Sequence, residues 1–428
     1  MSIVYLRLLL AGAVSFITLL VVVAVQAKPL WSPETTLYAS GGEQSDGFGT
    51  AVAIEQDTLV VAARLAPAYV FERSGSTWIE RAKLLPQDSQ DIGFIRSVAI
   101  SGDTIAVSAP KAETNIDPLN INRTGAVYIF TRQGKTWKQQ AKLFPPNPKA
   151  GFHFGYNIAL DQNTLVVGQD NEAHVFERDP ATTTWSYTAN LVIPKSSERK
   201  FTEPAPYLNG AVAVSGNTIL VGGTNNEPAG AVGVFFERQS QACTWAYKGE
   251  LVFPMPQKIL GRSIPGGTGS VALDGNTLLL GVVLSAPGFI GSAYIAKRPT
   301  ASSDWQQTAK LAPRYVQRPG GLLGLMLDYG FGRRVAIKGD YAVVAAVGQQ
   351  ANFFARNSEG EVFLFHRQPH SEYWSQLAKL VPRADRKEFL PTVSLSDRYV
   401  VVGDPSALNA QGEQTGAVHL FALPTAAP

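Results

Sequence analysis

The chain has 428 residues, of which 45% are apolar, 10% aromatic and 17% charged, enough to fill a large core and hard to reconcile with disorder. Its 37 Lys and Arg stand against 34 Asp and Glu, a net charge of +3, so there is no electrostatic case for nucleic acid or an anionic membrane surface as partner. The single cysteine, Cys243, excludes an internal disulfide framework and a multi-thiolate metal site, and reads as a small buried filler.

Residues 1–27 differ from everything after them. Arg7 precedes the apolar run LLLAGAVSFITLLVVVAV, and Val25-Gln26-Ala27 offers small residues where a signal peptidase reads. The segment is expected to be a signal peptide. The run is also nearly long enough to cross a bilayer, so the alternative is an uncleaved N-terminal membrane anchor. On either reading the remainder, 28–428, is secreted, periplasmic or displayed at the cell surface, and touches a membrane only through 1–27.

From residue 31 onward the chain repeats. Its seven tryptophans, Trp31, Trp78, Trp137, Trp185, Trp245, Trp305 and Trp374, are each followed six residues later by a leucine: Leu37, Leu84, Leu143, Leu191, Leu251, Leu311 and Leu380. An even spacing on a regular strand predicts that Trp and Leu share one buried face. A second element recurs seven times as two apolar runs around a polar turn: VAIEQDTLVV, VAISGDTIAV, IALDQNTLVV, VAVSGNTILV, VALDGNTLLL, VAIKGDYAVV and VSLSDRYVVV. Turns such as Ser101-Gly102-Asp103 and Asp274-Gly275-Asn276 suit tight hairpins, and both runs should be covered on both faces. A third element is an aromatic strand: AYVFER, GAVYIFTR, AHVFER, GAVGVFFER, GSAYIAKR, EVFLFHR and GAVHLFAL.

Each unit thus predicts four antiparallel strands, and a small twisted sheet buries both faces only by packing between copies of itself. The fold class that follows is all-β, a seven-bladed β-propeller of four-stranded blades. Its ring closes when the N-terminal strand, 31–39, joins the three strands of the C-terminal blade, which removes the open edges.

The succession Phe48-Gly49, an apolar hairpin, Ala109-Pro110 and a Gly-Ala-Val-Tyr strand resembles the FG-GAP repeat of bacterial extracellular, integrin-α-like propellers. The resemblance spans nearly all of 31–423, although Phe-Gly itself survives only at Phe48-Gly49, Phe154-Gly155 and Phe331-Gly332. In integrin-like members the first hairpin loop binds calcium through an Asp-rich segment. Here the turns are short, and Asp57, Asp103, Asp161, Asp274, Asp340 and Asp397 each stand nearly alone, whereas calcium takes six to eight oxygens. No calcium site is carried over, and no metal or other cofactor is expected.

No Gly-x-Ser-x-Gly elbow, phosphate-cradling loop or His-Glu-x-x-His motif appears. His366 and His370 are four apart but read as a strand end and a turn, hence as solvated residues. Four-stranded meanders put the second-to-third and blade-to-blade connections on one face, so the long loops 111–124, 145–153, 195–208, 314–329, 348–360 and 404–415 share it. The apolar stretch at 319–329 is expected to fold over the channel mouth. Function concentrates on loops held by a rigid scaffold. The candidate binding residues at the ring entrance are Arg96, His153, Tyr156, Tyr207, Arg262, Asp328 and Arg333; no catalytic or metal residue is assigned. The expected function is a non-catalytic extracellular binding or adhesion module for a protein or glycan. The alternatives are a secreted hydrolase or lyase acting in the channel, and a structural component of a cell-envelope assembly.

Overall fold

The structure is a computed structural model, and it describes residues 30–31, 33–87, 95–112, 124–147, 154–194, 206–226, 229–239, 244–254, 258–259, 262–263, 266–284, 291–301, 303–314, 327–328, 330–347, 349–350, 360–382, 389 and 391–424. Residues 1–27, expected to be a signal peptide or anchor, lie outside them, as do Cys243, His153 and most of 319–329.

Seven four-stranded antiparallel sheets follow one another as propeller blades. Blade 1 covers 51–84, blade 2 97–143, blade 3 157–190, blade 4 207–254, blade 5 266–311 and blade 6 334–380; blade 7 covers 392–422 and borrows its fourth strand from the N-terminus. There is no helix among the described residues. The second strands are the most enclosed: every residue of Thr104–Ala109, Thr164–Gln169 and Tyr399–Asp404 is buried. The first strands are less covered than their apolar sequence suggests. In Asn157–Asp161 only Ile158 is buried, because this innermost strand has a central opening beside it instead of another strand.

Two-residue hairpin loops join first to second strands, and in six blades the first loop residue has positive φ: Gln56 (51°), Gly102 (53°), Gln162 (52°), Gly216 (55°), Gly275 (55°) and Gly339 (55°). The loops also hold one another. In blades 1 to 5 the residue before the loop accepts the next loop's backbone N–H, as Asp161 does from Gly216 (2.6 Å), Ser215 from Gly275 (3.0 Å) and Asp274 from Gly339 (2.8 Å).

The expectation that Trp and Leu share a face is overturned. In blades 1 to 6 the fourth strand carries a bulge three residues after its tryptophan, at Arg81, Gln140, Thr188, Lys248, Thr308 and Leu377. One extra residue reverses the alternation of side chains. Trp78 therefore packs towards blade 7 and Leu84 towards blade 2. Trp137, Trp185, Trp245, Trp305 and Trp374 likewise face the preceding blade, and Leu143, Leu191, Leu251, Leu311 and Leu380 the following one. Each fourth strand thus joins both of its neighbours.

Closure occurs as expected but over a shorter span. Thr35–Leu37 pairs antiparallel with Ala417–Ala422, setting Thr36 opposite His419, with Thr36 Oγ1 3.0 Å from His419 Nδ1. Trp31 does not continue that strand. Leu30–Trp31 runs parallel to the outer strand of blade 6, with Trp31 opposite Leu380, and the indole packs between blades 6 and 7. Trp31 so reaches the preceding blade and Leu37 the following one, as in every other unit.

The Phe-Gly pairs explain their own spacing. Phe48 bridges Gly416 and Phe331 bridges Gly291, each in parallel, while Phe154 N–H donates to Thr124 O (3.3 Å) beside Gly125. A Cβ on Gly125, Gly291 or Gly416 would collide with the carbonyl oxygen of the facing phenylalanine. Only glycine lets the two backbones approach. The Phe-Gly of one blade and the glycine opening the third strand of the blade before it are two halves of one contact.

Candidate functional site at the channel mouth

That contact sets where the first strands of blades 1, 3 and 6 begin, and the residues entering the first strands ring the central opening on the face that carries the long loops. Arg96, Tyr156 and Arg333 hold equivalent places. Arg96 N–H donates to Ser108 O (3.2 Å) and Tyr156 N–H to Gly168 O (3.1 Å), while Arg333 follows Phe331-Gly332 as Tyr156 follows Phe154-Gly155.

These three meet in a cavity of about 360 Å³ that Asn157, Asn209, Thr224, Gly267, Thr268, Gly269, Val283 and Arg334 complete. The residues come from the entrances of blades 2 to 6. Most of the uncharged polar groups are engaged in the wall. Asn157 Nδ2 donates to Gly210 O (3.3 Å), the Asn209 amide donates to Thr268 O, and Thr268 Oγ1 lies 2.7 Å from Gly223 O. The arginines are different. Arg96 stacks on Tyr156, 4.5 Å from guanidinium carbon to ring centre, and donates to its hydroxyl (2.8 Å). Arg334 donates to the Arg333 carbonyl (3.2 Å). Burial lowers the Arg334 pKa to about 10, with the charges of Arg96 and Arg333 adding to the effect. Arg334 is still protonated at neutral pH. No carboxylate or histidine lines the cavity among the described residues.

The opposite mouth has the other sign. Lys338 sits near Asp274, Asp397 and Glu55, and despite burial its pKa is raised by the hydrogen bond and charge of Asp274 and by the other two carboxylates. Five of the six hairpin aspartates flagged in the sequence take structural partners there: Asp103 binds Arg132 (2.9 Å), Asp340 binds Arg367, Asp57 lies 3.4 Å from Arg398, and Asp161 and Asp274 accept the N–H groups of Gly216 and Gly339.

Of the predicted residues, the structure brings Arg96, Tyr156 and Arg333 together. Tyr207 is 53% exposed at the start of its strand, two residues from Asn209 but outside the cavity lining. Arg262 and Asp328 lie in two-residue strands, Arg262–Ser263 and Leu327–Asp328, whose side chains are not described; His153 lies outside the described residues. Sequence reasoning missed Asn157, Asn209, Thr268 and Arg334. The available signal was position: Asn157 and Arg334 each stand immediately before the apolar run of a first strand. A larger cavity, about 580 Å³, lies between Tyr38, Gly42, Leu408 and Glu413, but Asn409 Nδ2 already donates to Glu413 (2.9 Å) and no cation lines it. His366 packs on Tyr341, 4.7 Å between ring centres, and His370 is an exposed turn residue, so the two form no ligand pair.

The FG-GAP repeat model matches residues 31–77, 78–130 and 137–178. Each match begins on or next to the fourth strand of one blade and ends in or just after the third strand of the next, so the sequence repeat is offset by one strand from the blade. No curated protein matches the chain. Among solved structures it is similar to a protein from Lactobacillus plantarum, at 13% identity and a TM-score of 0.46 over 78% of this chain and 85% of that one. It is also similar to Saccharomyces cerevisiae Sqt1, at 10% identity and a TM-score of 0.46 over 93% and 100%. Neither likeness bears on function. The chain is a seven-bladed β-propeller whose segments 31–77, 78–130 and 137–178 match the FG-GAP repeat.

Proposed function

We propose that this propeller is a non-catalytic binding or adhesion module, exported by residues 1–27, that takes a protein or glycan ligand on the face carrying its long loops. The mouth cavity carries the reading. It lies on that face, offers cationic and hydrogen-bonding groups, and among the described residues is lined by no carboxylate, histidine or thiol that could serve as base or nucleophile. A hydrolase or lyase would need paired ionisable groups of opposed pKa in such a place. A rigid ring with strand entrances as the binding surface needs no moving part and no cofactor.

The reading is tested by expressing the full chain, sequencing the N-terminus of the mature protein, and probing glycan and protein arrays with it. Export together with saturable binding to one ligand class is expected. Retention in the cytoplasm, or no saturable binding to either class, would contradict it.

A further inference from the structure

Three guanidinium groups share one small cavity at the channel mouth, Arg96 from blade 2 and Arg333 and Arg334 from blade 6. Like charges drawn together in a partly enclosed place repel, and a structure keeps them only where something offsets the cost. Elsewhere three enclosed arginines are neutralised by carboxylates: Arg132 by Glu72 and Asp103, Arg238 by Glu177, Arg298 by Glu237. At the mouth no described carboxylate does so. The wall around the cations is trimmed to small and neutral groups, Gly267, Thr268 and Gly269 on one side, Asn157 and Asn209 on another. Along the same channel the far mouth is acidic, with Glu55, Asp274 and Asp397 around Lys338. A negative group entering from the long-loop face is drawn to the arginines and repelled beyond them.

We propose that the cavity formed by Arg96, Tyr156, Arg333 and Arg334 binds an oxyanion group, a sulfate, phosphate or carboxylate, carried by the ligand of the long-loop face. The inference rests on the reading of that face as a binding surface and specifies its chemistry. Arginine suits the task because its fork of N–H donors matches two oxygens at once. Arg96 is held ready by its stack on Tyr156, and only one of its donors is used there. A volume of about 360 Å³ admits an anionic group with the ring that bears it, and the Tyr156 ring at the rim, 36% exposed, supplies a flat apolar surface beside the charges.

The experiment is calorimetric titration of the full chain with sodium sulfate, sodium phosphate and an oligogalacturonate, each against sodium chloride of equal ionic strength. Arg333→Gln and Arg334→Gln are compared with wild type, and Lys135→Gln in a distant hairpin turn is the control. At least one probe is expected to bind wild type and the control saturably, with affinity lost roughly tenfold or more in each arginine variant. The preferred probe separates an ester-type anion from a uronate. Circular dichroism and melting check the fold. Without anion at low ionic strength, Arg334→Gln is expected to melt no lower than wild type, since one of three repelling charges is gone. The proposal is overturned if no probe binds beyond the chloride control, or if both variants bind as wild type does. Array binding that persists under either result would leave the binding module standing and remove only its anionic chemistry; no binding anywhere would remove both.

Discussion

Trp78 and Leu84 lie six residues apart on one strand and pack against different blades: Trp78 meets Tyr399 of blade 7 edge-on, 5.7 Å between ring centres, and Leu84 packs with Val98 and Ile105 of blade 2. The bulge at Arg81 separates them. Alanine at either position should cost about 2–5 kcal/mol, and the two losses should add within about 0.5 kcal/mol. Trp78 and Tyr399 should instead couple by about 0.5–1.5 kcal/mol. Double-mutant cycles by urea denaturation measure both, and strong Trp78–Leu84 coupling would contradict the bulged register.

The arginine ending each third strand reaches back to the preceding blade where that blade supplies glutamate. Arg298, 6% exposed, binds Glu237, Thr218 Oγ1 (2.6 Å), Asn276 Oδ1 (3.0 Å) and the Ala301 carbonyl (2.9 Å), and lies over Trp305. Removing it leaves Glu237 enclosed without its main partner, so Arg298→Ala should cost about 3 kcal/mol. Arg132 makes the same link to Glu72 and Thr58 but is more exposed, and its loss should cost about 1 kcal/mol.

Blade 2 breaks the pattern with Thr131 in the glutamate's place, and the Nε of Arg178 in blade 3 is buried without a hydrogen-bond partner. Thr131→Glu should restore the link and raise stability by about 0.5–1 kcal/mol in thermal unfolding. A neutral or destabilising result would mean that the missing carboxylate is not what Arg178 lacks.

The repeat was legible because its markers are chemical. Tryptophan, Asp/Asn turns and glycines recur at nearly constant spacing, and each has one structural use. The bulge was not legible, since the inserted residues Arg81, Gln140, Thr188, Lys248, Thr308 and Leu377 share no chemistry and are defined only by their lack of a partner across the ladder. Trp31 was misplaced because its companions in the 6–7 interface, Leu380 and Phe421, are set by ring closure and not by local pattern. At the mouth, Arg96, Tyr156 and Arg333 could be picked out as polar residues at strand entrances. The meeting of Arg96 with Arg334 joins blades 2 and 6 across the opening, and spacing along the chain carries no sign of it.

Gln56 and Gln162 occupy turn positions that glycine fills in four other blades, with φ of 51° and 52°. A side chain in that region costs roughly 1 kcal/mol, partly offset by glycine's greater freedom when unfolded. Gln56→Gly and Gln162→Gly should each stabilise by a few tenths to about 1 kcal/mol in chemical denaturation, and Gly216→Val should destabilise by more. Loss of stability in both glycine variants would contradict the assigned turn geometry.

Asp179 accepts the N–H groups of Ala181 (2.7 Å) and Thr182 (3.3 Å), in that order the main causes holding its pKa below the usual aspartate range. A lowered folded-state pKa stabilises above the unfolded value and loses that contribution as pH falls through the folded one. The 179–184 turn should loosen in acid, below the ordinary aspartate range, and Asp179→Ala should loosen it at neutral pH. NMR titration of the Ala181 amide reads this directly; an amide unmoved as the carboxyl protonates would rule it out.

Ring closure by the N-terminus is tested most directly by a cross-link between Thr36 and His419, whose side chains already touch across the closing strand pair. Antiparallel partners stand about 4.5–5.5 Å apart at Cα, within disulfide reach. In a Cys243→Ser background, Thr36→Cys with His419→Cys should oxidise to a monomer whose digest contains the 36–419 linked peptide. A chain that stays unlinked while folded, or links only to a second chain, would contradict a propeller closed by its own N-terminal strand.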